Sequence, residues 1–223
     1  SGVAKTKVTD GKTFVYLQLQ PGESCILQTS NTPLKGTPFN YIDKKGNVQE
    51  INGEWKVQFT SGGPTLPGTT DVNNLRTWTD FPVDGVKNFS GTAQYNISFP
   101  RPVNDINATA YLLDLGKVEQ SAEVLLNGKK LATLIGPVYT LMIPANQFTD
   151  NNVLQVNVSN SMTNRIIYLE KQGAPWKKFY NVNFPARLAA NRGANGLFTP
   201  IKWEPEASGL TSTLTLTPVT LMK

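Results

Sequence analysis

Residues Tyr111 to Leu134 read YLLDLGKVEQSAEVLLNGKKLATL, two apolar runs on either side of an Asn127-Gly128 pair. A two-residue type I′ turn needs positive φ at both central positions. Asn-Gly tolerates this best, so Ala122 to Leu134 predicts a β-hairpin. The apolar run Thr109 to Leu115 predicts a further strand, joined to the hairpin by a short connection. Successive short strands with tight turns and no helical period point to a β-sandwich.

The same reading extends outward. Trp55, Val57 and Phe59 alternate with polar partners, as in a strand with one buried face, so Trp55 is assigned to the core. Strands are also predicted at 92–99, 138–143, 153–158 and 212–217. Helical turns are expected only around Pro144 to Phe148 and Pro185 to Asn191. Near the N-terminus, Thr13 to Leu19 alternates and Pro21-Gly22 turns the chain into Ser24 to Thr29, which predicts a hairpin-like pair. A polar stretch then leads to a boundary near residues 47–53, dividing an N-terminal β segment, 1–50, from a main β-domain, 51–223. Fifty residues are too few for an independent core. The connection between Ser159 and Gly209 lacks period-2 pattern but is dense in aromatic and basic side chains, and structureless connections of that length are usually functional.

Composition removes much of the enzyme menu. The 223 residues include no histidine, which excludes Ser-His-Asp and Cys-His catalysis and imidazole zinc sites. The lone cysteine, Cys25, permits no intrachain disulfide and no CxxC site, and its place in Cys25-Ile26-Leu27 predicts a buried, inert thiol. Net charge is +5, but the basic residues are spread as singles and doublets, which argues against a nucleic-acid face. No run approaches the length of a membrane helix, and the N-terminus lacks an apolar signal core. The Asn-x-Ser/Thr patterns at Asn88, Asn96, Asn107 and Asn157 match what chance gives in a chain so rich in these residues.

Several separated motifs carry a resemblance. Gly53-Glu54-Trp55-Lys56-Val57-Gln58-Phe59, Leu75-Arg76-Thr77-Trp78-Thr79-Asp80, Phe89-Ser90-Gly91-Thr92-Ala93-Gln94-Tyr95, Gly136-Pro137-Val138-Tyr139 and Asn152 to Val158, closed by Asn160 and Asn164-Arg165, resemble the galactose-binding-like jelly roll of glycoside hydrolases. Ser208-Gly209-Leu210 resembles the C-terminal region of family 106 α-L-rhamnosidase-like proteins, and the jelly roll occurs in family 2 as well. Leu19 to Ser24 resembles the last hairpin of the β-domain preceding that jelly roll. The resemblance implies an all-β chain, a galactose-binding-like β-sandwich with an extra N-terminal β-hairpin. It further implies a non-catalytic unit that binds carbohydrate or supports the catalytic domain of a parent hydrolase, secreted or periplasmic, with the catalytic carboxylates in a separate barrel. Two other readings stay open, a fragment of an α-L-rhamnosidase or β-galactosidase-like enzyme whose site another domain completes, and a spacer without ligand.

Glycosidases need two carboxylates. Glu204 and Glu206 have the spacing for one side of an extended segment, but Pro205 between them favours a solvated loop. Asp114 sits in an apolar strand and is read as tying down a neighbouring loop, with a structural calcium held through oxygen ligands as the one metal left open. Sugar sites combine an aromatic face with a few placed polar groups. The candidates are Trp176, Arg165, Asn164, Trp78, Tyr139 and Tyr180, with Trp176 the stacking ring because Pro175, Lys177 and Lys178 beside it suggest exposure.

Overall fold

The computed structural model describes residues 2–32, 34–177 and 184–222. A hairpin of β1 (Thr6–Thr9) and β2 (Lys12–Val15) comes first, and short strands β3 (Ile42–Lys45) and β4 (Gln49–Glu50) follow. Next are β5 (Trp55–Gly63), β6 (Thr70–Val72), β7 (Ser90–Pro100) and β8 (Ala110–Asp114). The strands β9 (Val118–Glu119), β10 (Ser121–Leu126), β11 (Lys129–Ile135), β12 (Thr140–Pro144) and β13 (Asn151–Ser159) lead to helix α1 (Thr163–Lys171). The last two strands are β14 (Gly209–Leu210) and β15 (Thr215–Leu221).

Two antiparallel sheets face each other. The larger has the order β11-β10-β13-β7-β5-β6; the smaller has the order β12-β8-β15-β3, with β4 also pairing β15. This is the expected β-sandwich. Period-2 alternation decides what lies between the sheets. Trp55, Val57 and Phe59 of β5 point inward, as do Ala93, Tyr95 and Ile97 of β7, Ala122, Val124 and Leu126 of β10, and Leu154, Val156 and Val158 of β13. Tyr111, Leu113, Ile143 and Leu216 meet them from the smaller sheet. Each buried valine, leucine, isoleucine or phenylalanine among them contributes about 1.5–3 kcal/mol when removed from water, which is why one slip in register would be costly.

The Asn127-Gly128 turn forms as expected, with φ of 51° and 78° and Leu126 opposite Lys129. Asn127 does more than turn the chain. Its Oδ1 accepts the Val153 N–H at 2.8 Å and its Nδ2 donates to Asn152 Oδ1 at 3.1 Å, so the hairpin tip is tied to β13 as well.

Three parts differ from the expectation. The N-terminal hairpin lies at 6–15, around Asp10-Gly11 with φ of 52° and 70°, not around Pro21-Gly22. Asp-Gly accepts the positive φ of a type I′ turn at both positions, which proline at 21 cannot. Residues 17–30 therefore cross the surface without strand pairing, and Cys25 is exposed rather than buried. Second, β3 and β4 add residues 42–50 to the smaller sheet through β15, a pairing across most of the chain that no local pattern announces. Third, the long connection contains a real helix, α1, in which only Asn164 and Ile167 are buried. Two buried positions three apart are too weak a period to read from sequence.

Candidate carbohydrate-binding site

The connection from β13 to β14 is held to the sandwich by asparagines. Asn160 accepts the Gly91 N–H at 2.8 Å and donates to Phe89 O at 3.1 Å and Ser208 Oγ at 2.9 Å. Asn164, 1% exposed, brackets the backbone of Glu206: its Nδ2 donates to Glu206 O at 3.0 Å and its Oδ1 accepts Glu206 N–H at 2.7 Å. A planar amide has one donor and one acceptor side, so it can pair with a peptide unit as a strand does. Its hydrogen-bonding capacity is thereby directed to the chain itself. Arg165, next on α1, takes its backbone N–H to Ser90 Oγ at 3.0 Å, while its guanidinium lies over the backbone of Gly63, where a Cβ would come within 2.8 Å of Nη1.

The last turn of α1 presents Glu170 to the returning chain. Trp176 Nε1 donates to Glu170 Oε2 at 2.7 Å and Lys177 Nζ to Oε1 at 2.8 Å. Lys177 Nζ also stands 5.2 Å from the centre of the Trp176 ring, a cation–π contact. Phe198 meets Trp176 edge-on at 6.4 Å and Trp203 edge-on at 5.7 Å, and Trp203 Nε1 donates to Asn191 Oδ1 at 2.9 Å. The result is an aromatic cluster with a polar rim. Trp176 and Trp203 are half-buried and Phe198 is buried.

Burial by itself would raise the pKa of Glu170, but hydrogen bonds from Lys177, Thr199 and Trp176 and the charge of Lys177 outweigh it and hold the carboxyl below the ordinary glutamate range. A group whose folded pKa lies below its unfolded value stabilises the fold above the unfolded pKa, and that contribution is lost as pH falls through the folded one. We expect Trp176 fluorescence to change on acidification only below the range in which a free glutamate titrates. Glu170→Gln should abolish that step. A transition in the variant at the same pH would assign it to another group.

The structure scatters the remaining candidates. Trp78 is fully buried, edge-on to Phe59 at 5.5 Å and Phe89 at 5.9 Å, so its face is taken by the core. The reason is local: Thr77 opens a 3-10 turn over Trp78–Asp80 that rotates the ring inward. Tyr139 donates its hydroxyl to Gln120 O and lines a different cavity, of about 730 Å³, between residues 18–25 and the outer side of the smaller sheet. Tyr180 lies outside the described residues. Sequence reasoning missed Glu170 and the pairing of Phe198 with both tryptophans; an acid at the end of a helix leaves no signal when the helix itself is not seen.

Glu204 and Glu206 are both exposed, and Glu206 accepts from Ser161 Oγ at 3.0 Å. Neither is enclosed by apolar side chains as a general acid of a glycosidase is. Glu170 is enclosed, but its oxygens are taken by Trp176 and Lys177. Asp114 accepts the Gly116 N–H at 2.8 Å and so fixes the loop after β8. Among the described residues no group of three or more Cys, Asp or Glu is placed to hold a metal ion, and no helix is long and apolar enough to cross a membrane.

No protein-family model matches the chain. It is 37% identical over 152 residues to a putative beta-glucuronidase of Formosa agariphila, a match that covers 63% of this chain and 13% of that protein. Its fold is similar to that of the rhamnosidase from Novosphingobium sp. PP1Y, with a TM-score of 0.63 and 22% identity, covering 96% of this chain and 19% of that one. A β-glucuronidase from Ruminococcus gnavus in complex with D-glucuronic acid matches 81% of the chain at a TM-score of 0.48 and 16% identity. The matches thus cover 13% to 31% of these three proteins.

Proposed function

We propose that this chain is a non-catalytic β-sandwich of a larger, secreted or periplasmic glycan-degrading hydrolase, where it binds carbohydrate and braces the catalytic domain. The observation that carries this is the match of 37% identity to a putative beta-glucuronidase of which the chain spans only 13%. The fold agrees with a sugar-binding role, and the exposed state of Glu204 and Glu206 agrees with chemistry performed elsewhere in the parent protein. Sugar contact through the connection falls to the half-buried Trp176 and to Arg165, since Asn164 is committed to Glu206 and Trp78 to the core.

The segment before β3 fits a docking role in the same assembly, as the tail of a preceding β-domain. Among the described residues, nine of the seventeen exposed large hydrophobic side chains lie there, including Phe14, Ile26 and Phe39. An isolated hairpin such as β1–β2 is marginal in water and gains stability from packing on a neighbour.

The test is enzymatic. Purified chain should release no aryl alcohol from aryl rhamnosides, glucuronides or galactosides at any pH between 4 and 9. Turnover that disappears in Glu204→Gln or Glu206→Gln would overturn the non-catalytic reading.

A further inference from the structure

We propose that the outward face of the six-stranded sheet binds an extended neutral oligosaccharide laid across the strands, an inference that rests on the sugar-binding reading above. Gln58, Gln94, Asn157, Glu123 and Thr133 form one register row across β5, β7, β13, β10 and β11. Beside it, Thr92, Ser159 and Ser121 form a second row. Gln94, Asn157, Glu123 and Thr133 line, with the second row, a concavity of about 510 Å³, a size suited to a ligand of a few rings.

An outward sheet face is polar on any account, because it meets water. What distinguishes this one is the kind of polarity. The chain carries 21 basic and 16 acidic residues, yet Glu123 is the one charged side chain lining the concavity. Its charge is compensated, with Oε1 2.6 Å from Lys130 Nζ and Oε2 accepting Asn157 Nδ2 at 2.9 Å. Every other lining group is an amide or a hydroxyl, and none is aliphatic or aromatic. Such a surface has little to offer an ion or an apolar partner, but it matches the alternating donors and acceptors of sugar hydroxyls.

The groups are also partly fixed in advance. Gln155 Nε2 donates to Asn157 Oδ1 at 3.1 Å, and Thr92 Oγ1 and Ser159 Oγ share a hydrogen bond of 2.7 Å. The amide of Gln94, between them, makes no side-chain hydrogen bond to any other described residue and is open to a ligand. Strands repeat every ~4.8 Å across a sheet, close to the advance of one β-linked hexopyranose, so successive sugars meet successive strands. Without an aromatic platform the affinity is set by hydrogen bonds alone and falls in the weak range, around millimolar.

The test is a nuclear magnetic resonance titration of the full chain with cellohexaose, mannohexaose and a hexamer of galacturonic acid. We expect the side-chain amide signals of Gln94, Gln155 and Asn157 to shift saturably with a neutral hexaose. The double variant Gln94→Ala/Asn157→Ala should bind about tenfold more weakly, and Gln58→Ala, at an exposed position, provides a second reading if that variant folds poorly. Unchanged affinity in these variants overturns the proposal, as does preference for the acidic hexamer. Shifts confined to Trp176 and its neighbours also overturn it while leaving the sugar-binding reading intact. Silence throughout the chain defeats both.

Discussion

Gly209→Ala is expected to destabilise the chain by about 3–5 kcal/mol, which at roughly 2–4 °C per kcal/mol for a chain of this size lowers the melting temperature by about 6–20 °C. Two costs add. The residue has φ of 94°, a conformation that an L side chain rarely adopts. A Cβ there would lie 2.1 Å from Tyr95 Oη and 2.9 Å from Trp78 Cε3, both side chains fully buried in the core. Neither ring can step aside, because Tyr95 is enclosed between the sheets and Trp78 is wedged against Phe59 and Phe89. Thermal or urea unfolding followed by circular dichroism measures the loss. A melting temperature within 2 °C of the parent would mean that the β14 segment is free to move off the core. Gly128→Ala is the control: its φ is 78°, but nothing lies within 4 Å of the added carbon, so it carries the backbone cost without the clash.

That Ser208-Gly209-Leu210 marks a tight passage over the core is information that sequence holds only as a motif; the clash partners become visible once Tyr95 and Trp78 are brought beside it. The same distinction runs through the fold. Strands β5, β7, β10 and β13 were legible because one face is apolar at every second position, and the 122–134 hairpin because Asn127-Gly128 fixes its register. What was not legible depends on partners distant in sequence. Lys44 opposite Thr220 and Glu50 opposite Thr215 are pairings that polar, exposed strands do not signal. The site divides in the same way. Trp176, expected to be exposed, is half-buried against Phe198 and Glu170, and Trp78 was misread because a tryptophan in a loop looks alike in sequence whether its ring turns inward or outward. Glu170 was invisible until α1 put it within reach of Trp176 and Lys177. The amide row on the large sheet was present in the alternation of β7 and β13 all along, at Gln94, Asn96, Gln155 and Asn157, but only the register shows that Gln94 and Asn157 are neighbours.

Asn164→Ala should cost about 2–4 kcal/mol, and its effect should be local before it is global. The side chain is 1% exposed and pairs with both the N–H and the C=O of Glu206, so truncation leaves that N–H without its partner and the C=O with only the 3.2 Å bond from Ser208 Oγ. A leucine of similar size would fill the space but meet neither group, and Asn164→Leu should therefore be no better. The damage has a boundary. Ser208 keeps four other bonds, from its N–H to Thr77 Oγ1 at 2.9 Å, from Trp78 N–H to its O at 2.9 Å, from Asn160 Nδ2 to its Oγ at 2.9 Å, and from its Oγ to Glu206 O at 3.2 Å. Detachment from α1 should accordingly stop before Ser208 and loosen the run that follows the Trp203 ring, which Asn191 and Phe198 hold, up to Ala207, where Glu206 is fixed to the helix by Asn164. Lys202, exposed at the head of that run, is a natural reporter. Trypsin cleavage after Lys202 should accelerate several-fold in Asn164→Ala at temperatures well below the melting point, while cleavage at Lys56, within β5, stays slow. A lowered melting temperature with unchanged cleavage at Lys202 would place the role of Asn164 in the stability of α1 itself, and no change in either would show that the bracket around Glu206 contributes nothing to the fold.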